Sequence, residues 1–589
     1  MNQPSASFGR FSNRSEACFD AWVRSSFYVP MRDGTRLAVD LMRPANGDVV
    51  AEEPLPAIWT HTRYQRASFS RDEKIQSWAE YWDPWLFDVI AHGYVALTVD
   101  VRGAGASFGI NEGQYSAAET RDAYDMTEWI AAQSWCDGNV GMYGRSYLGV
   151  TQYFAASQAP PHLKAIFPEM ASFDHYAYAF SGGVFRESSR FNWQLLVGNL
   201  DQSTAMLWKD DYQGPVVPVD HDDGELARAL REHRANHDWY RMLDACQLRD
   251  NEVPWTGERL HQTRSAASFR NEIEHSGIPI YHLAGWYDMF PRDTLLWYAN
   301  LKNPQKIVIG PWFHVDSRGM DYGAEHLRWY DHWLKGVDNG VMDEPAIHYW
   351  VIDAPAGQCW RATTTWPLPQ ATQRVLYLQN GPSHSIRSTN DGCLGNEMSH
   401  GADAYTVDYT TTSGQTNRWA NANGGGTGYP DMTVNDEKGL TYTSAVLEEP
   451  LEVIGHPIVH LWISSTEKDG DFYAYLEDVH PDGFSQYVTE GVLRASHRAL
   501  GEAPWNNLGL PFHSGLASDV EPLPDKPVEL VFDLHPTAKH FPAGHRLRLS
   551  ITCADCDNDR GVLCDPPAQV TVHRDAERAS RLLLPVVDN

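Results

Sequence analysis

A serine placed between glycines is the most informative feature of the sequence. Residues 140–149 read VGMYGRSYLG, so a short apolar run meets Gly144, Ser146 and Gly149 before a helix-compatible stretch. A strand-to-helix turn has this pattern when it holds a serine hydroxyl over the end of a sheet. Such a serine is suited to nucleophilic attack on an acyl carbon. Taken alone, the pattern is more typical of an ordinary surface turn, because glycine and serine are frequent in turns.

Two downstream segments could supply the partners that such a serine needs, a base and a group that orients the base. Asp288 follows the apolar segment 279–284, and His314 follows the apolar segment 306–309. In doubly wound hydrolases the chain order is serine, acid, histidine, each on a loop after a strand. Asp288 could accept from one ring nitrogen of His314 while the other takes the Ser146 proton. Singly, Asp288 is also typical of a turn cap, and His314 of a loop histidine.

The reaction would also need donors for the developing oxyanion. The backbone N–H of Tyr147 has the right position, directly after the serine. The loop after an early strand usually gives the second donor, and here it contains Tyr64, whose phenol could reach in. The alternative is that Tyr64 is a buried tyrosine whose hydroxyl bonds to backbone.

The elements that must position these residues predict an α/β fold. Buried strands alternate with helices up to about residue 171 and again from about 271 to 345, which predicts a doubly wound parallel sheet, the α/β-hydrolase catalytic domain. Residues 172–270 are rich in charged and aromatic residues and are expected to form a helical cap without strands. Many short alternating strands over residues 346–589 predict a β-sandwich of jelly-roll type.

Several further motifs make the chain similar to the cocaine-esterase, α-amino-acid ester hydrolase and X-Pro dipeptidyl-peptidase-like family of α/β hydrolases. They are the segments 29–34 (VPMRDG), 100–103 (DVRG), 133–141 (QSWCDGNVG), 285–288 (GWYD), 310–312 (GPW), 333–336 (WLKG) and 541–547 (FPAGHRL). The resemblance implies Ser146 as nucleophile, His314 as base and Asp288 as its orienter. It implies Tyr64 and the Tyr147 N–H as the oxyanion hole, and the same three-part architecture.

The substrate region is predicted from aromatic and apolar residues near the site. The family's amino-acid ester hydrolases place carboxylates just after the triad aspartate, whereas this chain has Met289 and Phe290 there, beside Trp286. An uncharged ester or amide fits such a wall better. Phe180 and Phe185 in the aromatic-dense cap are interpreted as lining an acyl pocket; the alternative is packing of the cap on the body.

Composition and charge limit the partners, location and cofactors that can be expected. The 589 residues carry 47 Lys and Arg against 77 Asp and Glu, a net charge of −30, which disfavours nucleic acid and anionic membranes as partners. Residues 1–20 have no apolar secretory segment, so a cytoplasmic location is expected. No cofactor is predicted, and no metal, because Cys553, Cys556 and Cys564 lack a clear fourth ligand. The expected partner is a small ester or amide, and a homo-oligomer is possible.

Three functions agree with these patterns. The first is a serine esterase or amidase that works through an acyl-enzyme. The second is an X-Pro dipeptidyl-peptidase on the same three residues, which would need a carboxylate for the substrate amine. The third is a non-catalytic protein that binds its ligand through the jelly roll.

Overall fold

The computed structural model describes residue 8 and residues 14–208, 211–314, 316–317, 319–421 and 427–588. Much of the segment 1–20, on which the expectation about secretion depends, lies outside these residues. Within them, no helix is both long and apolar enough to cross a lipid bilayer.

The catalytic part of the chain is built on a mixed sheet whose seven central strands are parallel. Antiparallel strands flank them at both edges, and Val49–Val50 pairs with the second strand. In spatial order the strands are Ala21–Pro30, Arg36–Asn46, Val95–Asp100, Leu55–Thr62, Cys136–Arg145, Leu163–Glu169, Ile280–Gly285, Gln305–Gly310, Ile347–Trp350 and Trp360–Thr363. The last two strands extend this sheet past residue 345, where the sequence placed the start of the C-terminal domain.

Helices cover both faces of this sheet, as the alternation in the sequence predicted. They are Trp78–Tyr81, Leu86–Ala91, Ala117–Ala131, Tyr147–Ser157, Pro291–Asn300 and Tyr322–Lys335. One apolar core includes Val140, Leu148 and Trp297, and a second on the other face includes Tyr143, Leu283 and Trp329. Burial on both faces explains why the central strands read as nearly continuous apolar runs.

The inserted segment is mainly helical. Its helices are His175–Ala179, Glu187–Asp201, Glu225–Glu232, Trp239–Ala245, Leu260–Thr263 and Arg270–Ser276, with 3₁₀ turns at His233–Ala235 and Ala266–Phe269. It also holds two short hairpins, Phe180–Ser181 with Val184–Phe185 and Met206–Trp208 with Asp211–Gln213. The expectation of a cap without strands is therefore wrong in detail. Strands of two or three residues are too short to give a readable alternation.

The C-terminal region is all-β, as predicted, apart from short helices at Arg418–Asn421 and Thr433–Asp436 and 3₁₀ turns at Ala495–His497 and Ala517–Asp519. Its described strands pair almost entirely antiparallel, and among them Gly392–Gly395 and Leu440–Ser444 alone pair parallel. The strands are Thr372–Gln379, Gly392–Gly395, Ala402–Thr406, Leu440–Ser444, Leu451–Gly455, Ile458–Ser465, Asp471–Val479, Ser485–Arg494, Val528–Asp533, Thr537–Phe541, Arg546–Thr552, Gln569–His573 and Arg581–Val587. The jelly-roll topology itself stays a prediction.

Candidate active site

Ser146 sits in a strained turn between strand Cys136–Arg145 and helix Tyr147–Ser157. Its backbone has φ 59° and ψ −121°, a conformation that a non-glycine residue adopts only at a cost. A Cβ on Gly144 would lie 2.6 Å from the Leu148 Cβ, and one on Gly149 would lie 2.7 Å from the Glu169 carbonyl oxygen. The two glycines therefore let strand, turn and helix approach closely enough to present the serine.

Buried polar contacts hold the helix that follows Ser146. The Gln152 amide donates to the Gly144 carbonyl at 3.0 Å and accepts from the Phe167 backbone N–H at 2.9 Å. The Tyr147 phenol donates to the Glu119 carboxylate at 2.8 Å, and burial raises the pKa of Glu119 to about 7. The Tyr147 backbone N–H belongs to the first turn of this helix, where amides have no intrahelical acceptor.

Asp288 and His314 form a buried pair at the carboxyl edge of the sheet. The His314 Nδ1 lies 2.6 Å from Asp288 Oδ1, and their side chains are 4% and 0% exposed. The loops that carry them follow the adjacent parallel strands Ile280–Gly285 and Gln305–Gly310. The second oxygen of Asp288 accepts from the Phe290 backbone N–H at 3.1 Å, which fixes the carboxylate plane.

Tyr64 lies beside Ser146, and its hydroxyl accepts from a side chain rather than from backbone. The donor is the Trp193 indole N–H, at 3.0 Å. Burial raises the pKa of Tyr64, although the Trp193 hydrogen bond, the charges of Arg63 and Arg190 and the nearby Ser146 hydroxyl oppose the shift. The phenol is therefore protonated at neutral pH and has a proton to donate.

Arg418, which the sequence analysis did not single out, supports the Asp288 loop from the C-terminal region. Its guanidinium donates to the Asp288 carbonyl at 2.9 Å, to the Trp286 carbonyl at 3.3 Å and to the Tyr487 hydroxyl at 2.8 Å. The residue is 0% exposed. No local pattern around residue 418 signals this role, since the two carbonyls of the Asp288 loop lie 130 and 132 positions away.

Arg190, also missed, extends from the cap helix Glu187–Asp201 to the residues after Asp288. Its guanidinium stacks 3.7 Å above the Tyr178 ring, and one terminal nitrogen lies 3.9 Å from the Met289 sulfur. Tyr178 in turn contacts Phe290 with ring centroids 5.3 Å apart, and Phe290 lies 6.1 Å from the His314 ring. Arg190 thus connects the cap with the wall formed by Met289 and Phe290.

The other predicted substrate residues lie in different surroundings. Trp286 is 1% exposed, packs in the core between body and C-terminal region, and donates to the Trp350 carbonyl at 2.7 Å. Phe185 stacks on Phe180 at 4.8 Å within the core of the cap. Phe180 also lines a cavity of about 120 Å³ between cap, body and C-terminal region, together with Tyr178, Met289, Phe290, Trp505 and Phe512.

One group of potential metal ligands occurs in the described part of the chain, at Asp478, His480 and His545 of the C-terminal region. The Asp478 carboxylate already pairs with the Lys539 ammonium at 2.9 Å and with His545 at 2.8 Å. Within the described part of the chain, none of these three residues contacts Ser146, Asp288 or His314.

Comparisons with known proteins agree with this fold. The family model of the X-Pro dipeptidyl-peptidase (S15 family) matches residues 33–316, and that of the X-Pro dipeptidyl-peptidase C-terminal non-catalytic domain matches residues 339–583. A protein of Mycobacterium bovis named "Putative serine esterase" is 34% identical, covering 96% of this chain and 95% of its own. Cocaine esterase of a Rhodococcus species is 28% identical, covering 96% and 98%.

A CocE/NonD family hydrolase of Staphylococcus aureus has the same fold, with a TM-score of 0.71 at 20% identity over 96% of this chain and 93% of its own. Fold and matches together define a serine hydrolase with an α/β-hydrolase domain and an all-β C-terminal domain. The chain belongs to the X-Pro dipeptidyl-peptidase (S15) family, together with the cocaine-esterase-like hydrolases.

Proposed function

We propose that the protein is a carboxylic-ester or amide hydrolase that works through an acyl-enzyme on Ser146. The observation that carries the proposal is the buried His314–Asp288 pair, 2.6 Å apart, on the same sheet edge as the strained Ser146 turn. A histidine held this way by a carboxylate keeps its proton on Nδ1 and leaves Nε2 free to act as a base.

In this proposal the Ser146 hydroxyl gives its proton to His314 Nε2 while its oxygen bonds to the acyl carbon. The carbonyl electron pair moves onto the oxygen, where the Tyr64 phenol and the Tyr147 backbone N–H stabilise the negative charge. When the tetrahedral intermediate collapses, the bond to the leaving alcohol or amine breaks, and His314 returns the proton to that group. Water then repeats the sequence on the acyl-enzyme and releases the acid and free Ser146.

The relatives named as esterases support an ester substrate for this site. Cocaine esterase covers nearly the whole chain, and the apolar side chains of Met289 and Phe290 adjoin His314 through the Phe290 ring. An X-Pro dipeptidyl-peptidase activity is the second candidate, because both family models carry that description. It is disfavoured by Arg190, whose cationic group beside Met289 would repel the free ammonium of a peptide substrate.

A labelling and turnover experiment tests the proposal. We expect a fluorophosphonate probe to label the wild-type chain and Ser157→Ala, a matched serine at the far end of the same helix, but not Ser146→Ala. Hydrolysis of p-nitrophenyl acetate should follow the same order. Equal labelling of Ser146→Ala would refute the assignment, and cleavage of Ala-Pro-p-nitroanilide in preference to simple esters would favour the second candidate.

A further inference from the structure

Arg190 is a buried cation that has no counter-ion among the residues that the structure describes. The residue is 2% exposed, and its Nε and Nη2 donate to the Ser189 hydroxyl at 3.1 Å and 2.9 Å. Its Nη1 is buried and has no hydrogen-bond partner. In the described ranges no carboxylate forms an ion pair with it, although 77 Asp and Glu residues occur in the chain.

Other buried arginines of the molecule differ in this respect. Arg63 pairs with Asp201, Arg186 with Asp559, and Arg548 with Asp436. A buried charge is costly unless it is paired, so an unpaired one calls for an explanation, and a ligand that completes the pair is one. Burial lowers the pKa of Arg190 to about 9, and only the nearby Tyr115 and Tyr64 oppose the shift. The guanidinium is therefore still charged at neutral pH.

The Arg190 guanidinium lies near both the residues that follow Asp288 and the Tyr64 phenol. On one side it approaches the Met289 sulfur, next in sequence to Asp288. On the other it is close enough to Tyr64, which lies beside Ser146, to act on the pKa of that phenol. The guanidinium thus borders both the loop that carries Asp288 and the proposed oxyanion donor.

We propose that Arg190 binds a carboxylate of the substrate, so that the enzyme prefers esters or amides that carry a carboxylate near the scissile bond. This inference rests on the proposed acyl-enzyme function and names its substrate class. A guanidinium with a free Nη1 is suited to a planar carboxylate, because charge-assisted hydrogen bonds of this kind are short and strong. The net charge of −30 repels anions at long range, so the preference must come from this local contact.

Matched pairs of substrates test the inference. The acyl side is probed with the mono-p-nitrophenyl ester of fumarate, whose trans carboxylate cannot attack its own ester, against p-nitrophenyl crotonate, and the leaving-group side with 4-acetoxybenzoate against 4-methylphenyl acetate. We expect a higher kcat/KM for the charged member of at least one pair. Arg190→Met should lower that ratio about 10²-fold, because only the charged member loses a charge-assisted hydrogen bond. Arg234→Met, which removes an exposed arginine of the cap, should leave the ratio unchanged.

A measurement on the wild-type chain keeps the test independent of the variant's folding. Succinate should inhibit hydrolysis of the neutral ester competitively, and succinamide at the same concentration should not. Faster hydrolysis of the neutral member in both pairs, no inhibition by succinate, or an equal loss on both substrates in Arg190→Met would each overturn the inference. In those cases the proposed function stands, whereas absence of hydrolysis of every ester would refute the proposed function itself.

Discussion

A buried arginine from the cap, Arg190, and one from the C-terminal region, Arg418, both lie near the loops around the candidate active site. The two differ in how completely their guanidinium groups are hydrogen-bonded. Arg418 from the C-terminal region donates to two backbone carbonyls and two tyrosine hydroxyls and lies 3.8 Å from the Glu490 carboxylate. Arg190 from the cap keeps one buried nitrogen without a partner. Arg418, whose nitrogens have hydrogen-bond partners, stabilises the Asp288 loop, whereas Arg190, which has an unpaired nitrogen, can bind a ligand.

Among the substitutions around Ser146, Asp288→Asn has the largest expected effect on kcat. Loss of Arg418 can lower kcat by no more than this if Arg418 acts only by positioning Asp288. Asp288→Asn should lower kcat for a simple ester by about 10⁴-fold, because an amide no longer holds the His314 ring in the tautomer with a free Nε2. Steady-state kinetics at saturating ester measure this value. Turnover within tenfold of wild type would remove Asp288 from the reaction and, with it, the reason for Arg418 to support that loop.

Tyr64 tests the side of the site that the cap contacts. Tyr64→Phe should lower kcat by on the order of 10²-fold with KM nearly unchanged, since the phenol donates to charge that develops only in the transition state. Tyr115→Phe is the matched control, because Tyr115 is a buried tyrosine whose ring also packs on Tyr147. Equal, small effects of both substitutions would return Tyr64 to a packing role.

Arg418→Met tests directly whether Arg418 stabilises the Asp288 loop. It should lower the free energy of unfolding by about 3 kcal/mol, because buried carbonyls and hydroxyls lose their donor. It should also lower kcat roughly tenfold for charged and neutral esters alike, through displacement of Asp288. Arg361→Met, which breaks the pair with Glu452 in the C-terminal half of the chain, should lower stability without lowering kcat. Loss of turnover restricted to one class of substrate would contradict the contrast between Arg418 and Arg190.

Glu119 extends the contrast to a buried acid that accepts from the Tyr147 hydroxyl and forms no ion pair in the described part of the chain. Its folded-state pKa is raised to about 7 from an ordinary value of 4.5. The folded state therefore binds a proton more tightly than the unfolded state, and the free energy of unfolding falls as pH rises through this window. Glu119→Gln should flatten that fall and gain on the order of 2 kcal/mol relative to wild type at pH 8. Urea denaturation at several pH values measures it, with exposed Glu112→Gln as control; identical slopes for all three proteins would refute the prediction.

The sequence predicted those parts of the molecule that local patterns encode. Gly144 and Gly149 are needed where a Cβ would collide, so the turn around Ser146 is readable from the chain. The α/β order and the all-β C-terminal region also followed from strand periodicity. The partnership of Asp288 with His314 was expected from their order after two strands, and the two side chains do meet.

Features that depend on distant contacts were not readable. Arg190 and Arg418 have no motif around them, and their importance appears only when their partners, or the absence of one, are seen in space. Trp286 was expected near the substrate because it precedes Asp288, yet its ring packs into a core with Trp366 at 6.1 Å. Adjacency along a loop does not determine on which side of the loop a side chain lies.

The extension of the catalytic sheet beyond residue 345 has a practical consequence for exchanging domains between relatives. Strand Ile347–Trp350 pairs with Gln305–Gly310, the strand that leads to His314. A chimera joined at residue 345 would have to rebuild this pairing from foreign sequence, and a poor match would expose a bare β-edge prone to self-association. A junction after Thr363 would keep the native strands at this edge of the sheet. The exchanged C-terminal domain would then have to supply a residue that replaces Arg418.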